Sequence, residues 1–168
     1  MNLREERPRI RLIILLSLCF SLFPGTMPAA TEVEALYGRM DHADVIGVWW
    51  ADSWNTGNGR VPYVGALTAI DYREDRFVSG ELVLGGRLEA STSIAPWIGL
   101  AVSGGFSQTR QEDGEYDSTW SAGLIPEIGI YFRIGESWGC RLSGRYLIST
   151  EGRDRDFWVG GFGIQWGN

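Results

Sequence analysis

The 168-residue chain has no lysine, a single histidine (His42) and only two cysteines, Cys19 and Cys140. With no second histidine and no clustered cysteines, the ligands of a metal site are missing. There is no glycine loop of the phosphate-binding kind and no nucleophile elbow. No stretch carries a helical apolar period, and glycines interrupt every candidate. Although 23 glycines are present, they follow no Gly-X-Y repeat, which excludes collagen. Eight Trp, seven Phe and six Tyr exclude a disordered chain.

The N-terminus has the layout of an export signal. Arg4, Arg7, Arg9 and Arg11 precede an apolar run from Leu12 to Phe23, which Pro24 and Gly25 break. Met27-Pro28-Ala29-Ala30 then offers small residues for cleavage. The competing reading, a permanent anchor, needs an apolar run of about 20 residues, and this one is shorter. Cys19 follows Leu18 where a lipoprotein site needs a small residue, so it is expected to leave with the peptide. The expected division is a signal peptide over 1–30 and one domain over 31–168. Only Cys140 remains in that domain, so no intramolecular disulfide forms there, even in an oxidising compartment. Eleven arginines face nineteen Asp and Glu in it, a formal charge of −8, which argues against nucleic acid. Twenty-two glycines lie there, about twice the usual frequency, and glycine inside strands marks bends and close packing.

What the domain has in abundance is alternation. Trp120, Ala122, Leu124, Ile128, Ile130 and Phe132 share one face of a segment whose other face carries Ser121, Gly123, Glu127, Gly129 and Arg133. The same period of two sets Cys140, Leu142, Tyr146 and Ile148 against Arg141, Ser143, Arg145 and Ser149, and Trp158, Phe162, Ile164 and Trp166 against Gly161, Gly163 and Gln165. It extends back to Leu82, Leu84, Leu88 and Ala90 against Glu81, Arg87 and Glu89. A period of two belongs to β-strands with differently solvated faces. Eight strands are expected, at about 34–40, 45–52, 63–72, 81–91, 97–108, 119–134, 139–149 and 157–167. The register of the first three is left open. The links 73–79, 110–118 and 150–156 are charged and follow strands three, five and seven, at one end of a meander. Two links break that habit: 41–44 is short and 54–62 long.

The fold class expected is all-β, an eight-stranded antiparallel up-and-down barrel. If its apolar face meets lipid, Glu81, Arg87, Glu89, Glu127, Arg133, Arg141 and Arg145 point into a narrow lumen, where opposed charges pair and fill it. Trp97, Trp120, Phe132, Trp138, Trp158 and Trp166 then form aromatic girdles at the two interfaces. The reverse reading is a soluble periplasmic lipocalin-like carrier with Leu84, Leu100 and Ile130 lining a cavity for a hydrophobic ligand. The bulk of the apolar set and the lack of lysine favour the lipid-facing arrangement.

With these features the chain resembles the small eight-stranded outer-membrane β-barrel superfamily. The resemblance covers the whole domain and is architectural. It implies an outer-membrane location, a monomer, contact with outer-membrane lipid and lipopolysaccharide, and passage through the barrel-assembly machinery. The terminal strand 157–166 is similar to the assembly signal of such proteins, although Gly167 and Asn168 follow its last aromatic. A weaker resemblance, carried by Gly129–Arg133, Gly144-Arg145-Tyr146 and Ser149, is to outer-membrane lipid A deacylases. Their histidine two residues before the serine is replaced here by Leu147, which leaves Ser149 without a base. His42, in Asp41-His42-Ala43-Asp44, reads as part of a polar hairpin. No catalytic, cofactor-binding or metal-binding residue is expected, and the function read from the sequence is non-enzymatic: envelope structure, or interaction through the surface loops.

Overall fold

A computed structural model describes residues 30–40, 43–54, 58–71, 77–110, 116–149 and 156–167. His42 and the charged centres of three links, 72–76, 111–115 and 150–155, lie outside the described residues. Eight strands follow in chain order: β1 Ala30–Met40, β2 Ala43–Ser53, β3 Arg60–Asp71, β4 Phe77–Glu89, β5 Ile94–Arg110, β6 Tyr116–Arg133, β7 Trp138–Ser149 and β8 Phe157–Gly167. Each pairs antiparallel with its neighbours, and β8 closes on β1, giving an eight-stranded barrel in sequence order. The all-β up-and-down expectation is met; β1, β3, β4, β5 and β6 begin three or four residues before their expected starts, and β7 and β8 match within one residue.

The register fixes the barrel's dimensions. Stepping across the ladder from Ala30 through Ser53, Tyr63, Gly85 and Ala101, then Ile125, Leu147 and Phe157, leads back to β1 at Met40, ten residues above the start. A shear of ten over eight strands, with about 3.3 Å rise and 4.8 Å spacing, sets a tilt of about 40° and a backbone radius of about 8 Å. Each residue therefore climbs about 2.5 Å along the axis.

Both termini and the links after β2, β4 and β6 share one end. Tight backbone bonds close these links: Ala90 N to Pro96 O at 3.1 Å, Gly135 N to Trp138 O at 3.0 Å and Trp54 N to Pro62 O at 3.0 Å. The longer β2–β3 link turns at Gly59, whose φ of 76° suits glycine alone. Pro126 lacks an N–H, and the β6–β7 ladder skips it, resuming at Leu124–Ile148 and Glu127–Arg145 on either side.

Burial is inverted relative to a soluble barrel. Leu84 (60% exposed), Leu100 (53%) and Ile130 (37%) lie on the outer wall. This overturns the lipocalin-like alternative, which needed all three inside. Within the lumen the order along the axis is charged, then apolar. The half near the termini holds buried Arg and Glu, and above it Leu36, Leu67, Val83, Ile125, Leu147 and Phe157 form an apolar layer. That layer was not legible, because Leu147 and Val83 sit on the lumen-facing parity otherwise read as polar.

Candidate functional site in the barrel lumen

The charged half of the lumen is built from three carboxylates and three guanidiniums, each with a fully or nearly fully buried side chain. The carboxylates come from β1 and β6, and the arginines from β4 and β7. Glu32 is the hub. Its Oε2 accepts from Arg87 Nη1 at 2.6 Å and from Arg141 Nη1 at 3.0 Å. Its Oε1 accepts from Arg87 Nη2 and from the indole of Trp49 at 2.8 Å. Glu34 takes both terminal nitrogens of Arg145, at 2.6 and 3.2 Å, and the Ser143 hydroxyl at 2.5 Å. Glu127 accepts from Arg145 Nε at 3.2 Å and from the Tyr63 hydroxyl, and Arg87 Nε lies 3.5 Å from it. Two-pronged contacts of this kind are what the planar guanidinium is shaped to make.

Aromatic faces complete the plug. Arg87 lies 4.3 Å from the Tyr63 ring centre and 4.8 Å from that of Trp97. Arg141 lies between Trp97 and Tyr131, at 5.0 and 5.3 Å, and Arg145 lies 4.0 Å over Trp49. In a desolvated site such stacking adds to the ion pairs. Three positive charges meet three negative ones, so this cluster is close to neutral.

The sequence placed seven charges here, and the structure brings five of them together: Arg87, Glu127, Arg141, Arg145 and, at the rim, Glu89, which accepts from Arg141 Nη2 at 2.5 Å. Glu81 faces the lumen but sits higher, opposite Gly105 and outside the arginine cluster. Arg133 is corrected: it is exposed at the end of β6, where its backbone N bonds Ser93 O at 2.9 Å. It lies one inward position past Tyr131, beyond the packed layer. Trp97 is corrected too. It is 2% exposed and points into the lumen, not into a girdle. The odd positions of β5 face inward, and its ladder partner Gly129 leaves room for the indole. Trp120, Trp138, Trp158 and Trp166 are exposed on the outer wall, and Phe132 is half-buried there.

Glu32, Glu34, Trp49 and Tyr63 were missed. Glu32-x-Glu34-x-Leu36 has the right period, but the expected first strand starts at Glu34, and the sequence alone does not tie either carboxylate to the arginines of β4 and β7. Trp49-Trp50 hid the inward indole, since adjacent residues take opposite faces.

The glycine excess is explained by the same packing. Bulky lumen side chains lie directly across the ladder from glycines: Tyr63 from Gly85, Trp97 from Gly129, Glu127 from Gly99 and Glu34 from Gly163. A Cβ on Gly129 would overlap the Trp97 ring and the Leu142 carbonyl. Gly129→Ala is therefore expected to lose about 1–3 kcal/mol by overpacking, read as a lower urea midpoint of the reconstituted protein.

A closed, eight-stranded up-and-down barrel with a polar lumen and an apolar outer wall is the architecture of the outer-membrane barrels. No family model matches the sequence, and no curated protein matches it. Solved structures do. The N-terminal β-barrel domain of Pseudomonas aeruginosa OprF is similar with a TM-score of 0.63 at 13% identity, over 83% of this chain and 97% of that one. Neisserial surface protein A is similar with a TM-score of 0.63 at 11% identity, over 83% and 95%. At such identities the likeness is one of fold.

Proposed function

We propose that this chain is an outer-membrane protein whose barrel is a sealed scaffold: it neither conducts nor catalyses, and it meets its surroundings through the charged loops. One observation carries the reading. Large apolar side chains are exposed on the outer face of seven of the eight strands while three arginines and three glutamates are buried at the centre, the inverse of a protein built for water. A lumen filled by paired charges, with an apolar layer above it, leaves no wide aqueous path. Export by the N-terminal segment, insertion by the barrel-assembly machinery and contact with lipopolysaccharide complete the proposal. The segments 73–79, 110–118 and 150–156 are its surface.

The test is cell fractionation followed by gel electrophoresis with and without boiling. The protein is expected in the outer-membrane fraction, with a folded band that shifts on heating. Recovery in the soluble periplasm overturns the reading. Planar-bilayer recordings are expected to show no steady conductance, and lipid A acyl patterns are expected to be the same with and without the protein.

A further inference from the structure

The outer wall is not equally tall on all sides. The outward row of β5 from Ile94 to Phe106, and that of β6 from Trp120 to Phe132, contain no polar side chain. Each spans thirteen residues, about 30 Å along the axis at the tilt set by the shear. Diametrically opposite, polar groups close in from both ends. On β1 the outward row runs from Thr31 to Arg39, and on β2 from Asp52 to Asp44. The Thr31 hydroxyl donates to Asp52 Oδ1 at 2.6 Å, and the Tyr37 hydroxyl donates to Asp44 at 3.1 Å. Eight residues separate the polar ends on each strand, about 20 Å. On β8, the neighbour of β1, two tryptophans bound a row of the same length, with Trp158 paired across the ladder to Arg39 and Trp166 to Thr31.

A simple tilt of the barrel does not account for this. Tilting shifts the upper and lower boundaries of the wall in the same direction on any one side. Here, passing from β5–β6 to β1–β2, the lower boundary rises by about 8 Å while the upper one falls by about 2 Å. The belt is a wedge. A bilayer facing a hydrophobic span shorter than its hydrocarbon core adapts by thinning locally.

We infer that the β8–β1–β2 face, where the first and last strands meet, binds a locally thinned annulus of lipid, while the β5–β6 face sits in bilayer of full thickness. The inference rests on the membrane reading proposed above. Val48 on β2 and Leu100 on β5 lie at the middle of their outward rows, about 10 and 15 Å from either end, and both are exposed on the wall. Nitroxide labels on Val48→Cys and Leu100→Cys, each in a Cys140→Ser background, report depth in phosphatidylcholine vesicles with 18-carbon chains from collisions with oxygen and a nickel chelate. The label at 100 is expected to lie about 5 Å deeper, half the difference in wall height. Equal depths overturn the wedge. Labels that are both open to the nickel chelate overturn the membrane reading itself. Adding Thr31→Val, Asp52→Leu, Arg39→Leu and Asp44→Leu to the Val48→Cys protein lengthens the short face, and its label is expected to sink to the depth of the other. A label that stays shallow overturns the assignment of the thinning to those residues.

Discussion

Glu32→Ala is expected to be among the most damaging single substitutions in this barrel. Glu32 accepts two hydrogen bonds from Arg87, one from Arg141 and one from Trp49. Its removal leaves two guanidiniums buried beside each other with half their compensation gone. Breaking a buried ion pair from one side costs about 3–5 kcal/mol, because the surviving charge stays out of water. The urea midpoint of the vesicle-reconstituted protein should fall accordingly, and the folded band should be lost at lower temperature. Glu89→Ala provides the contrast. Among the described residues Glu89 pairs with Arg141 alone, and its side chain is 16% exposed at the rim, so its loss should cost well under half as much. Glu32→Ala and Arg87→Ala should also be strongly non-additive, since each removes the reason the other is costly. If Glu32→Ala and Glu89→Ala prove equally mild, the lumen is hydrated and the sealed-scaffold reading loses its basis.

What the sequence disclosed about the lumen was set by how much of each strand was regular. From β4 to β8 the alternation is clean, and Arg87, Glu127, Arg141 and Arg145 could be assigned to one face from parity alone. On β1 to β3 it is not. Val64 and Ala66 are small outward residues sheltered by their neighbours, while Trp49, Tyr63 and Leu67 are large inward ones, so hydrophobicity no longer separates the faces. A mixed lumen has this effect in general: the apolar layer of Leu36, Val83 and Leu147 erases the contrast that a wholly polar interior would have left. The partner of each arginine was legible only in part, because Glu32 and Glu34 belong to the first strand, and its pairing with β7 residues more than a hundred positions away passes through barrel closure. The girdle expectation for Trp97 rests on its place near a strand end, where tryptophans commonly sit at an interface. Its parity, odd like Gly99 and Ala101, was the better guide.

The direction of the wall can be tested at one residue. Leu100 lies near mid-height on β5, within the tallest part of the outer wall, and is 53% exposed there. Leu100→Arg should cost about 2–4 kcal/mol if that wall faces hydrocarbon at the midplane of a bilayer. On a water-facing wall the same change is close to neutral, as surface substitutions usually are. Moved along the row to Gln108, near the top of β5, the arginine should cost little, about 0–1 kcal/mol, since the depth dependence follows the distance to the headgroups. Urea unfolding from vesicles reads both. A steep difference between the two positions follows from a lipid-facing wall, and a flat response along the row rejects it. The same series on β1–β2 should be compressed into fewer residues, because Thr31 and Arg39 already bring polar groups within about 10 Å of the centre of that face. Depth dependence is thus expected to differ between opposite sides of one barrel, which a cylinder of uniform height does not allow.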